Sequence, residues 1–136
     1  MAHLEVLIGA LAAFMLGFLW YTALFGKEWQ RLTGVTDEQA QSGMAVTHGL
    51  AFLMMCVVSF GINFIINMHS PEEQTFVHGA FHGLLVGLMY CVPAMVINYS
   101  YQKKPLKLFL IDGGYLALLS ALSGGVMAAL KLGGAA

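Results

Sequence analysis

Four stretches of the chain carry no Asp, Glu, Lys or Arg: Val6 to Gly26, Gln39 to Ser70, Gln74 to Gln102 and Gly113 to Leu130, the last extended upstream by Leu108-Phe109-Leu110-Ile111. A helix needs about 20 apolar residues to cross a hydrocarbon core about 30 Å thick, and each stretch meets that length. Strands are a poor alternative, because lipid offers no partner to open backbone groups and four spans cannot close a barrel. The pattern predicts an all-α fold: a single four-transmembrane-helix bundle over residues 1–136, with spans near 4–25, 44–67, 75–98 and 108–130.

Local signals place the helix ends. Ser70-Pro71-Glu72-Glu73 combines a capping Ser, a first-turn Pro and a Glu three residues on, which predicts that the third helix starts at Pro71 after a short turn, Met68-His69-Ser70. Thr36-Asp37-Glu38-Gln39 is a second capping box, predicting a second helix that begins in water and enters the bilayer near Met44. Lys104-Pro105 precedes the fourth helix. Pro93, inside span three, removes a backbone donor and predicts a kink near Met89. Met1-Ala-His-Leu-Glu5 has no basic residue and the apolar run after it is long, so the N-terminal segment is expected to be a retained span, not a signal peptide.

Composition agrees with a lipid solvent. Of 136 residues, 59% are hydrophobic and 10% charged, where a soluble domain carries about a quarter charged residues. Mean hydropathy is +0.77. With net charge -1 there is no basic stripe, which argues against nucleic acid as a partner. The first and third connections hold Lys27, Arg31, Lys103, Lys104 and Lys107, while the opposite face holds Lys131. Positive loops stay in the cytoplasm, so both termini are expected outside. Trp20, Tyr21, Phe25, Trp29, Tyr99, Tyr101 and Phe109 gather toward the basic side, as an interfacial belt or, alternatively, an aromatic ligand pocket.

Small residues recur every fourth position: Gly9, Ala13, Gly17; Gly79, Gly83, Gly87; Gly113, Ala117, Ala121, Gly125. Close backbone approach drives helix association in lipid, so these stripes are expected at packing faces, first within the bundle and then in a homo-oligomer. Ionisable groups within spans are candidate sites because their burial is costly. His78 and His82, four apart on one helix face, suit a proton or solute path, a metal or haem, or two neutral imidazoles bonded to carbonyls or to Asn63 and Asn67. His48 lies in the other half of span two. Asp112 is the carboxylate in the apolar register of span four, with Lys107, Lys104 and Tyr115 as expected partners near the basic face; Asn98 is expected to bond across helices. Cys56 and Cys91 lie inside spans, with no disulfide or zinc spacing. Met54-Met55-Cys56 as a copper(I) path is a weaker alternative, and no catalytic constellation is visible. Trp20-Tyr21-Thr22 leading to Lys27 and Asn98-Tyr99-Ser100 leading to Lys103 form a faint parallel duplication of two hairpins.

Two stretches carry a resemblance. Leu16-Gly17-Phe18-Leu19-Trp20-Tyr21 followed by Leu24-Phe25-Gly26-Lys27-Glu28-Trp29 and Leu32-Thr33-Gly34, and then Lys104-Pro105-Leu106-Lys107-Leu108-Phe109-Leu110-Ile111-Asp112-Gly113-Gly114-Tyr115, resemble the two signatures of a bacterial membrane family catalogued as domain of unknown function 1761. The resemblance implies a small integral membrane protein whose shared function sits where Trp20, Tyr21, Lys27 and Trp29 meet Pro105, Lys107 and Tyr115. The expected function is non-enzymatic: binding or moving a small solute or proton through a self-associating bundle, with no cofactor. The alternatives are an accessory subunit of a larger membrane complex and a haem or metal redox protein using His78 and His82.

Overall fold

The structure, a computed structural model, describes residues 3–130. Lys131 and the expected tail Gly133-Gly134-Ala135-Ala136 lie outside the described residues. In chain order the helices are α1 (Leu4–Leu19), α2 (Gly26–Thr33), α3 (Asp37–Gln41), α4 (Met44–Ile66), α5 (Phe76–Val86), α6 (Val92–Tyr101) and α7 (Leu106–Leu130), with no strand among the described residues. A π-helical turn, Trp20–Leu24, extends α1, and another, Gly87–Cys91, joins α5 to α6. Four helical segments are long and apolar enough to cross a membrane: Leu4–Leu24, Met44–Ile66, Phe76–Tyr101 and Leu106–Leu130.

The fourth span is the axis of the bundle. In its most apolar stretch 56% of the residues are buried, against 22%, 22% and 11% in the other three. Those three lean on it and turn Val46, Phe64 and Val77 outward. An apolar outer surface of this extent is stable against lipid and not against water. Within the bundle, Val6, Ile62, Ile66, Met127 and Ala128 form one apolar cluster, and Ala13, Tyr115 and Leu119 a second.

Glycine sets how closely the helices approach. A Cβ at Gly79 would collide with the carbonyl oxygen of Gly124 and with Ala128, and one at Gly83 with the backbone of Ser120 and Ala121. Gly87 rides over Ala117. The stripe of α5 is therefore spent within the chain, against α7. Gly9 meets Ser123 and Met127, and Gly17 meets the Tyr115 hydroxyl. Gly113 differs from its expected packing role: its nearest side chains, Met95 and Val92, lie at 3.4 and 3.8 Å from a Cβ position, which is ordinary contact. Gly124 instead makes the backbone crossing.

Two helix ends depart from expectation. The Thr36 capping box is present, but its helix stops at Gln41, and Gly43, left-handed at φ 63°, separates it from α4. Pro105 precedes α7 as expected. The third span, however, starts at Phe76 and not at Pro71, with Thr75 as its cap accepting from the His78 N–H at 3.2 Å. Ser70 and Glu73 do pair, through Glu73 Oε2 to the Ser70 N–H and hydroxyl, but they close an isolated turn. The reason is Gln74, which is buried and donates to the His69 carbonyl at 3.0 Å, folding the chain back before the helical ladder begins. The expected kink near Met89 takes the form of the Gly87–Cys91 π turn, an extra residue that absorbs the donor missing at Pro93.

The first and third connections meet at one end. Glu28 on α2 pairs with Arg31 and, at 2.7 Å, with Lys107 of α7. Arg31 first, and Lys107 after it, hold the Glu28 carboxyl well below its ordinary 4.5, at about 2. Because the folded value is the depressed one, this clip is complete above pH 4.5 and is lost as pH falls through about 2. In a carbon NMR titration the Glu28 carboxyl midpoint is expected near 2, rising further in Arg31→Ala than in Lys107→Ala. Equal, unshifted midpoints in all three proteins would contradict the clip.

Candidate functional site

Two carboxyl groups are buried in the bundle, near opposite ends. Asp112, on the first turns of α7, is 7% exposed and accepts hydrogen bonds from the hydroxyls of Tyr21 and Tyr99, each at 2.6 Å. Its partners are therefore these tyrosines and not the expected Lys107, Lys104 or Tyr115. Lys107 is engaged by Glu28, and the Tyr115 hydroxyl donates to the Ala13 carbonyl at 3.1 Å. Charged acceptors make shorter and stronger hydrogen bonds than neutral ones, and two hydroxyl donors compensate a carboxylate removed from water.

The π turn positions the first donor. Trp20 and Tyr21 open this turn and both face α7, where the Trp20 ring N–H donates to the Ile111 carbonyl at 3.0 Å. Trp29 stacks edge-on against Tyr21 at 5.8 Å, and Tyr21 against Tyr115 at 5.1 Å. Both family-like signatures thus converge on one aromatic cluster around Asp112, while Lys27 is exposed and Pro105 serves to start α7. Tyr21 and Tyr99 also occupy equivalent positions of the faint duplication. The residues after them behave alike, Thr22 donating to the Phe18 carbonyl and Ser100 to the Val96 carbonyl, each four residues back. The duplication was the one sequence signal that could have named Tyr99 as a partner of Asp112. Asn98 does not bond across helices; it donates to the Ala94 carbonyl of its own helix, because the π turn and Pro93 leave its side chain on the outer face.

At the other end sits a residue that charge patterning passed over. Glu5, on the first turn of α1, is 1% exposed; its Oε1 accepts from the Asn63 amide at 3.1 Å, and its Oε2 has no partner among the described residues. A helix N-terminus favours negative charge, which eases this burial. One turn further in, the hydroxyls of Ser59 and Ser123 bond at 2.7 Å. Ser120, also buried, donates to the Leu116 carbonyl. Along α7 the buried Asp112, Tyr115, Ser120 and Ser123 make a polar seam facing the three other spans. Asn63 and Asp112 lie in the interior, and Glu5 is buried with them.

The histidines separate. His48 is exposed on α4, edge-on to Phe14, and meets no other expected site residue. His78 and His82 face each other, Nε2 to Nε2 at 3.0 Å, and neither bonds Asn63 or Asn67. They are joined by His69 from the connection between α4 and α5: ring centroids lie 4.6 Å apart for His69–His78, 4.5 Å for His69–His82 and 4.6 Å for His78–His82. His69 was not legible because its place depends on the turn that Gln74 closes. Cys56 and Cys91 are free thiols.

The family model described as "Protein of unknown function (DUF1761)" matches residues 4–128, and the chain belongs to that family. No curated protein and no solved structure matches the chain.

Proposed function

We propose that this member of the family is a membrane protein that binds protons on two buried carboxyl groups and passes them along the polar seam of α7. The observation that carries the reading is Glu5 Oε2: a carboxyl oxygen buried in a span and left without a partner among the described residues. An unpaired buried polar atom costs about 1–3 kcal/mol, so its persistence favours a role in which a proton, a water or a donor of a small solute meets it. Asp112 supplies the second carboxyl at the opposite end, held by Tyr21 and Tyr99, whose hydroxyls can exchange a proton with it. The Ser59–Ser123 pair and the Tyr115 hydroxyl lie between. Five basic residues around the Asp112 end support placing that end in the cytoplasm.

The test is proton flux into proteoliposomes loaded with a pH-sensitive dye, driven by a potassium diffusion potential. Vesicles with the wild-type protein are expected to acidify faster than empty ones, with Glu5→Gln and Asp112→Asn each falling to the empty-vesicle rate. Wild-type vesicles indistinguishable from empty ones at every pH tried would remove the reading.

A further inference from the structure

The polar seam does not use the three histidines at the Glu5 end, and they form a site of their own. We infer that His69, His78 and His82 bind a divalent transition-metal ion, zinc(II) in the first place, leaving one coordination position open. Each residue offers one ring nitrogen, and the three nitrogens lie within 4.8 Å of one another. Imidazole nitrogens held at about 2.0–2.1 Å from a tetrahedral zinc are about 3.3 Å apart, so the 3.0 Å between the Nε2 atoms of His78 and His82 already approximates a ligand edge. Small movements of the His69 ring complete the triangle.

The ligand set is preorganised from outside. His69 Nδ1 lies 3.1 Å from the Ile65 carbonyl, and a ring N–H donated there leaves Nε2 as a free lone pair. Such outer hydrogen bonds fix the tautomer and raise the basicity of ligating histidines. The buried Gln74 grips the His69 carbonyl, and Thr75 caps α5 so that His78 and His82 share one helix face. Without an ion, two Nε2 atoms at 3.0 Å require one of them to carry a proton toward the other; an ion takes the place of that proton and satisfies all three rings. Charge agrees, since the connection holds Glu72 and Glu73 and neither Lys nor Arg. Three imidazoles with an open fourth position match zinc sites that exchange a ligand, unlike closed structural sites with four protein ligands. Carboxylate-preferring magnesium and calcium are disfavoured by an all-nitrogen donor set.

The experiment uses the full chain in detergent, without a polyhistidine tag. Cobalt(II) chloride added to the metal-free protein is expected to give the visible absorption of a four-coordinate ion, saturating at about one ion per chain. Zinc chloride should displace it, with affinity read against a chromogenic chelator. His69→Ala, His78→Ala and His82→Ala should each weaken zinc by more than the about 10–100-fold that loss of an outer partner costs. His48→Ala should bind as the wild type does. Thermal unfolding of each metal-free variant separates a lost ligand from a lost fold, and the near-isosteric His82→Gln repeats the measurement with minimal repacking. Absence of saturable cobalt binding by the folded wild type overturns the inference, as does wild-type affinity in folded His82→Gln and His78→Ala. Proton flux is read separately, so failure of one proposal leaves the other standing.

Discussion

Gly83→Val is expected to prevent the native bundle from forming. A Cβ at this position lands on the carbonyl of Ser120 and on the Cα of Ala121, which are backbone atoms that no rotamer change can move. The α7 backbone cannot retreat, because its far side is held by Gly9 against Ser123 and Met127. Inserting methyl groups into a well-packed core costs about 1–3 kcal/mol where side chains can adjust, and more where they cannot. Thermal unfolding in detergent should therefore show Gly83→Ala well below the wild type and Gly83→Val without a cooperative transition. Gly61 is the control. It faces open space on α4, and Gly61→Ala should gain up to about 1 kcal/mol from helix propensity. If Gly83→Ala melts with Gly61→Ala, the α5–α7 contact is wrong.

Asp112→Leu is expected to destabilise the protein strongly while Asp112→Asn does not. Leucine fills similar space but strands the hydroxyls of Tyr21 and Tyr99, each an unmet donor costing about 1–3 kcal/mol when it cannot turn to water. Asparagine keeps an acceptor for one tyrosine and an amide donor for the other. The diagnostic comparison is recovery: Asp112→Leu combined with Tyr21→Phe and Tyr99→Phe removes the stranded groups and should be more stable than Asp112→Leu alone. Calorimetry or tryptophan fluorescence reads the order. A triple variant no better than Asp112→Leu would show that the hydroxyls are not bonded to this carboxylate.

These two predictions rest on features that were unequally visible in the sequence. The glycine spacing on α5 was plain, since a four-residue repeat of small residues is a local property of one helix. That the stripe faces α7, and meets Gly124 instead of Gly113, depends on a crossing angle that no single helix encodes. Asp112 was conspicuous as a carboxylate among apolar residues. Its true partners were hidden because Tyr21 reaches it across 91 positions, through a helix crossing that leaves no composition signal. Glu5 was hidden for a related reason: it borders a charge-free stretch and reads as an end residue, although the fold buries it. The Ser70–Glu73 signature was real as a hydrogen-bonded turn and misleading as a helix start, because buried Gln74 outweighed it.

By itself the sequence determined the solvent, the number of spans, the helical class and the small-residue faces. Each follows from the cost of bringing charge or unpaired backbone into lipid, and that cost is counted residue by residue along the chain. Tertiary structure alone decided which polar groups meet: Tyr21 and Tyr99 on Asp112, Asn63 on Glu5, and His69 beside His78 and His82. Such meetings join residues up to 91 positions apart through helix rotation and loop closure, and a hydrogen bond forms or fails within a few tenths of an ångström.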